Sequence, residues 1–232
     1  MKRWEEVALL FLVALTSLVI SILAIWYIWL NQSGQKPLPD ILLDNIPDLS
    51  DIEFAIVNTI VVVQYIVGIL SFPSRYRFQL IAQFIFLQSV LTALRAGTSS
   101  VTLLPNIYVY PHCEKRPDNF FQVLWYMIQY GTCADYMFSG HTATSTLAWL
   151  FTCKWKYLNV VNGVLLLGVI TFLLLQRWHY TVDIIIGFII TCALYIVYYK
   201  YQSCSWWYFN SLRIKSREER TDYHFSKLEC RD

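Results

Sequence analysis

Six mostly apolar stretches, most of them about twenty residues long, limit what this chain can fold into more than any other feature. A helix needs about 20 mostly apolar residues to cross a bilayer, where each backbone amide must be satisfied within its own element. The sequence therefore predicts an all-α, polytopic membrane protein with six transmembrane helices. The predicted spans are residues 7–30, 52–72, 78–94, 139–153, 158–176 and 181–199.

The charge content agrees with a membrane domain. Only 15% of the residues are charged, whereas soluble domains carry about 25%. The net charge of +2 gives no reason to expect a nucleic-acid partner. We predict one membrane-embedded catalytic domain over residues 1–199, followed by a polar, basic, cytosolic tail over residues 200–232.

The lysines and arginines predict the orientation of the spans. With a cytosolic N-terminus, thirteen of the eighteen fall on the cytosolic side and five on the opposite side. Such an excess in short loops marks the cytosolic face. Both termini are therefore expected in the cytosol. Residues 96–138 then form a long non-cytosolic connection, in which Cys113 and Cys133 form either a disulfide or two free thiols.

Three titratable residues are predicted to meet at the non-cytosolic ends of the spans. His141 lies at the start of the fourth span, and His179 and Asp183 lie where the fifth span gives way to the sixth. Residues four apart on a helix are neighbours. A carboxylate beside one imidazole nitrogen leaves the other nitrogen free as a nucleophile or base, and a second histidine serves as general acid. We expect these three residues to be catalytic.

Polar residues around them are candidates for binding a phosphate-linked substrate. Gly140 allows close approach of the backbone, while hydroxyls, amides and guanidinium groups balance phosphoryl charge. The candidates are Arg95, Asp135, Ser139, Gly140, Thr142, Arg177 and Tyr180. Asp135 is interpreted equally well as a residue that orients a neighbour or holds a loop. Arg95 and Arg177 are interpreted equally well as anchors at the membrane interface. No cluster has the spacing of a metal site, so neither a metal nor another cofactor is expected.

Four stretches resemble, in order, the signature motifs of the sphingomyelin synthase family. The segments from Cys133 to Thr142 and from His179 to Asp183 resemble the third and fourth motifs. Residues 37–47, with Pro37-Leu-Pro-Asp40, resemble the first, and residues 94–105, from Leu94-Arg95 to Pro105, resemble the second. Ala134 departs from the third motif, which usually has glycine there.

The resemblance implies an activity and a location. It implies a bundle like that of the related lipid phosphate phosphatases, in the Golgi or plasma membrane, with a lumenal or exoplasmic site. A phospho-head group would pass from a glycerophospholipid to ceramide and leave diacylglycerol. His179 would attack phosphorus with the support of Asp183, and His141 would protonate the leaving group, although the two histidine roles can be exchanged. The oligomeric state stays open, a homo-oligomer included.

The head group and the reaction class have alternatives. Aromatic faces bind choline through cation–π contacts, and Trp125, Tyr126, Tyr130 and Tyr136 modestly favour phosphocholine over ethanolamine or inositol head groups. The same aromatic residues are equally typical of a belt at the membrane interface. A lipid phosphate phosphatase is a second reading. The phosphatase signature requires a lysine where this chain has Val109 and an arginine where it has Leu173, which favours the transferase. A non-catalytic lipid-binding scaffold is a third reading, which the intact His141, His179 and Asp183 oppose.

Overall fold

Every long element in the described part of the chain is a helix. The computed structural model describes residues 3–31, 37–49, 55–71, 77–105, 118–119, 121–123, 125, 137–153 and 155–202. The helices are α1 (Arg3–Asn31), α2 (Ile41–Asn45), α3 (Ala55–Ser71), α4 (Arg77–Val101), α5 (Gly140–Phe151), α6 (Lys156–Leu175) and α7 (Thr181–Gln202). The predicted tail beyond residue 202, the two loop cysteines, Asp135, Tyr126, Tyr130 and Tyr136 lie outside the described residues.

Four of these helices are long and apolar enough to cross a membrane. They are α1, α4, α6 and α7, and between 22% and 39% of each apolar window is buried inside the protein. The rest of these windows therefore presents apolar side chains outward, as a lipid-facing surface requires. The apolar part of α3, Ile56–Leu70, is shorter, and α5 has 12 residues. All six predicted spans coincide with a helix, but the crossing of the membrane six times stays a prediction.

Helix α5 lies at the centre of the bundle. It packs against α3, α4, α6 and α7, whereas α1 packs along α4. One apolar core joins Leu87 and Leu91 of α4 to Leu147 and Phe151 of α5. A second core joins α3 to α6 and includes Trp178 at the end of the loop that follows α6. The residues at the start of α5 are therefore held by packing on several sides.

A buried polar network also links α3, α5 and α6. Ser145 donates a hydrogen bond of 2.5 Å to Gln64 Oε1, and Gln64 Nε2 donates to the carbonyl of Asn162 at 3.1 Å. The Asn162 amide in turn donates to Thr152 Oγ1 at 3.2 Å. Side-chain hydrogen bonds of this kind hold helices together where no water is available.

Two boundaries differ from the sequence prediction. The third predicted span ends at Leu94, but α4 continues to Val101. Thr98 and Ser100 extend it because their hydroxyls donate back to the carbonyls of Leu94 and Ala96 and so need no partner outside the helix. The predicted loop between the first two spans contains α2, which begins because Asp40 caps its amides.

Candidate active site

The first turn of α7 orients the predicted catalytic pair. Asp183 Oδ2 accepts a hydrogen bond of 3.1 Å from the amide of Tyr180, the residue before the helix. This is the reciprocal contact of a capping box. The same oxygen lies 3.5 Å from His179 Nδ1, which is an ion-pair distance slightly beyond a normal hydrogen bond. Asp183 is fully buried and His179 is 5% exposed, so the carboxylate faces one imidazole nitrogen.

The end of α6 turns the chain toward this pair. Arg177 has φ 54°, the left-handed conformation that usually takes glycine after a helix. The amide of Trp178 donates to the carbonyl of Leu173, and the amide of Arg177 donates to that of Leu174, which together form a Schellman motif. Arg177 Nε also lies 2.8 Å from Asp48 Oδ2. Arg177, which the sequence predicted to bind substrate, therefore ends helix α6 and forms an ion pair with Asp48 in a loop.

The start of α5 is joined directly to α7. Ser139 Oγ caps α5 by accepting from the amide of Thr142 at 3.2 Å. The amide of Ser139 donates to the carbonyl of Asp183 at 3.0 Å. Gly187 makes this approach possible, because a Cβ there would lie 3.0 Å from the Ser139 carbonyl oxygen. The third and fourth motifs therefore meet through the backbone, as the predicted topology requires.

His141 and Arg95 line the same cavity. A cavity of about 250 Å³ is lined by both residues and by Gly140. His141 Nε2 lies 3.0 Å from Asn58 Oδ1, and His141 is in electrostatic range of His179 and Arg95. A Cβ on Gly140 would lie 3.0 Å from Arg95 Cζ and would overlap its Nη1. The glycine of the third motif therefore leaves room for the guanidinium group.

Asp40 of the first motif is hydrogen-bonded to the turn between α6 and α7. Its carboxylate accepts hydrogen bonds of 2.7 Å from both the amide and the hydroxyl of Thr181. It also accepts from the amides of Leu42 and Leu43. Burial raises the pKa of Asp40, but the hydrogen bonds from Thr181 and these amides outweigh it and hold the pKa below its usual range. One carboxylate thus serves the positive ends of two helices.

Tyr180 connects the first, second and fourth motifs. Its hydroxyl accepts from the amide of Leu38 at 3.0 Å and donates to the carbonyl of Pro105 at 3.0 Å. Burial raises the pKa of this hydroxyl; the Leu38 amide lowers it, while the Asp183 and Asp40 carboxylates raise it further. The pKa stays above its ordinary value, so the hydroxyl remains able to donate.

The structure thus brings most of the predicted site together. His141, His179, Asp183, Arg95, Ser139, Gly140 and Thr142 surround the contact between α5 and α7. Arg177 and Tyr180 lie on its loop side, where each has a partner in the loops, and Asp135 lies outside the described residues. The catalytic and binding roles of all these residues stay predictions.

The sequence reading missed Asn58. This residue is one of few polar side chains in the apolar stretch that forms α3, and polar groups within membrane segments are often functional. That signal was available in the sequence, but the partner of Asn58 was not. Among the described residues, no group of three His, Cys, Asp or Glu side chains is placed to hold a metal ion.

Comparisons with known proteins found a family model and several relatives that this chain resembles. Residues 132–201, which include both histidines, match the family model of the PAP2 superfamily C-terminal region. The chain is 30% identical over 183 residues to Sphingomyelin synthase-related 1 of Caenorhabditis elegans, covering 71% of this chain and 38% of that protein. It is 30% identical over 192 residues to human Sphingomyelin synthase-related protein 1, covering 73% and 45%.

A human Phosphatidylcholine:ceramide cholinephosphotransferase 2 is 27% identical over 216 residues, covering 83% of this chain and 58% of that protein. The chain thus spans between about two fifths and three fifths of the length of these relatives. The resemblance predicted from the motifs is confirmed. The relatives and the membrane-length helices also support an integral membrane protein.

Proposed function

Because this chain is similar to the sphingomyelin synthases and joins their third and fourth motifs at one site, we propose that it transfers a phospho-head group between lipids. The donor is a glycerophospholipid, with phosphatidylcholine favoured, and the acceptor is ceramide. The products are a phosphosphingolipid and diacylglycerol. The observation that carries the proposal is the junction of Ser139 with Asp183, which brings His141 near the His179–Asp183 pair.

The first half of the reaction forms a phosphohistidine. The Asp183 carboxylate faces His179 Nδ1, which leaves Nε2 as the nucleophile. A bond forms from Nε2 to phosphorus, and the bond from phosphorus to the diacylglycerol oxygen breaks. His141 gives its proton to the departing oxygen. Arg95, which lies over Gly140, balances charge on the phosphoryl oxygens.

The second half transfers the group to the acceptor. The primary hydroxyl of ceramide gives its proton to His141, and its oxygen attacks phosphorus. The bond from phosphorus to His179 then breaks, and both histidines return to their starting protonation states. Asn58 supports both halves because its contact with Nε2 holds the His141 ring in position.

A transferase fits the site better than a lipid phosphate phosphatase. The phosphatase pattern has an arginine six residues before the nucleophilic histidine, where this chain has Leu173. That leucine is fully buried in the apolar core between α3 and α6. It therefore contributes no charge for holding a phosphomonoester dianion, whereas a phosphodiester substrate carries less charge.

The proposal extends to the setting of the enzyme. We propose six spans with both termini in the cytosol, and a site on the lumenal or exoplasmic side of the Golgi or plasma membrane. The aromatic residues of the long connection favour a choline head group, while ethanolamine and inositol head groups remain alternatives.

A lipid-product assay tests the proposal. Membranes that contain the protein receive fluorescent ceramide with phosphatidylcholine, phosphatidylethanolamine or phosphatidylinositol in turn. We expect one donor to give a new fluorescent phosphosphingolipid, which His179→Ala abolishes. His224→Ala, a histidine in the predicted tail, is the matched control and keeps the product.

The outcomes separate the candidate functions. Inorganic phosphate from phosphatidic acid, with no transfer from any donor, would replace the transferase with a phosphatase. No product in either assay, neither a phosphosphingolipid nor inorganic phosphate, would favour a lipid-binding scaffold. Mass spectrometry of the trapped intermediate identifies the nucleophile: phosphate on His141 instead of His179 would exchange the two roles.

A further inference from the structure

A second cavity lies beside the candidate site, in the apolar interior of the bundle. Its volume is about 380 Å³, and it lies between α1, α3, α4 and α5. Leu18, Gln88 and Thr92 line both this cavity and the smaller one that contains His141 and Arg95. The two cavities are therefore neighbours that meet at these side chains.

The larger cavity suits hydrocarbon chains. Most of its lining is apolar, with Ile81, Phe84 and Phe151 among the residues that face it. Three other lining residues, Leu18, Ile69 and Ile85, are about two fifths exposed on the outer surface of the helices. The cavity thus reaches the surface that faces lipid, which gives a two-chain lipid a lateral entry.

Gln88 is, with Thr92, one of two polar residues that line both cavities. Its Nε2 donates a hydrogen bond of 3.0 Å to Thr144 Oγ1. Its Oε1 is buried and has no hydrogen-bond partner among the described residues. A buried carbonyl oxygen without a donor is costly in an apolar setting, so this oxygen is suited to receive a donor from a bound molecule.

The spacing along α5 matches the chemistry of one class of acceptor. Thr144, which holds Gln88, lies three residues after His141, or about 4.5 Å along the helix axis. In an N-acylated amino alcohol such as ceramide, the amide nitrogen is attached to the carbon next to the one that bears the reacting hydroxyl. The hydroxyl can therefore face His141 while the amide N–H lies one helical turn deeper.

We propose that Gln88 accepts a hydrogen bond from the amide N–H of an N-acylated amino alcohol, whose chains occupy the cavity between α1, α3, α4 and α5. This inference rests on the proposed transferase function. It makes Gln88 the residue that distinguishes amide-linked from ester-linked acceptors, because an ester oxygen offers no hydrogen to Gln88 Oε1.

The experiment compares ceramide with an analogue in which an ester oxygen replaces the amide N–H. The full chain is assayed in liposomes with the active donor. One hydrogen bond corresponds to roughly a fivefold preference in kcat/KM for ceramide. Gln88→Met should bring that preference close to one. Gln83→Met is the matched control, since Gln83 lies on the same helix but bonds to Tyr199, and it should keep the preference.

Equal use of both acceptors by the unmodified protein would overturn the inference, and so would a Gln88→Met variant that keeps the preference. Because that comparison uses the unmodified protein, a lack of preference for ceramide overturns the inference even where a variant fails to fold. Failure of the proposed function looks different, because neither acceptor then gives any product.

Discussion

Gly140→Ala tests whether the guanidinium of Arg95 has to lie over the start of α5. The new Cβ would lie 3.0 Å from Arg95 Cζ and 3.5 Å from Nε, and would overlap Nη1. The guanidinium must then move by about 1 Å, and a displacement of that size at a reacting centre can cost about 100-fold in rate. This factor corresponds to about 2.7 kcal/mol of transition-state stabilisation. We expect near-normal folding, because the displaced atoms are at the far end of a flexible side chain.

The assay measures head-group transfer in liposomes and the melting temperature of the same preparations. Gly168→Ala is the matched control, since a Cβ at Gly168 meets nothing within 4 Å, and it should keep the transfer rate. In an Arg95→Ala background, Gly140→Ala should add little, because the group that it displaces is gone. Normal transfer by Gly140→Ala, or an undiminished effect in that background, would refute the reasoning.

Three further predictions concern the surroundings of the site. Asn58→Leu should lower the transfer rate about tenfold, because His141 loses the group that orients it. Asn58→Asp should restore transfer, with the pH profile of the rate shifted upward. An unshifted profile would contradict this role of Asn58. The Asp40 carboxylate stabilises the fold at pH values above its ordinary pKa of 3.8. This stabilisation is lost as the pH falls through the lower pKa that Asp40 has in the folded protein. Melting temperatures from pH 7 to 3 should therefore fall less for Asp40→Asn than for the unmodified protein, and parallel curves would argue against it. Arg177→Gly should leave the melting temperature nearly unchanged, since relief of a left-handed backbone, worth about 1 kcal/mol, offsets the loss of the partly exposed ion pair with Asp48. A loss of transfer by this folded variant would then report contact with substrate.

Much of the helical framework could be predicted because apolar length is a local property. Each of the six predicted spans coincides with a helix. Local chemistry also explains where the prediction fell short. The hydroxyls of Thr98 and Ser100 donate hydrogen bonds to carbonyls within α4. Polar residues that suggested a loop therefore continue the helix.

The sequence also predicted that the third and fourth motifs share one end of the bundle. That inference needs only the number of spans between them and the spacing of His179 and Asp183. Contacts between distant segments were beyond its reach. The bond from Asp40 to Thr181 joins residues 141 positions apart, and nothing in either local sequence specifies the other.

The amino-acid sequence by itself determined the helices, the motifs and the residues capable of phosphoryl chemistry, because periodicity, apolar length and side-chain identity are encoded locally. Only the tertiary structure decided which groups face one another. It placed Asn58 against His141, Arg95 over Gly140 and Gln88 between two cavities. The physical reason is that these contacts depend on how α3, α4 and α5 pack, and packing is set by many side chains acting together rather than by any one motif.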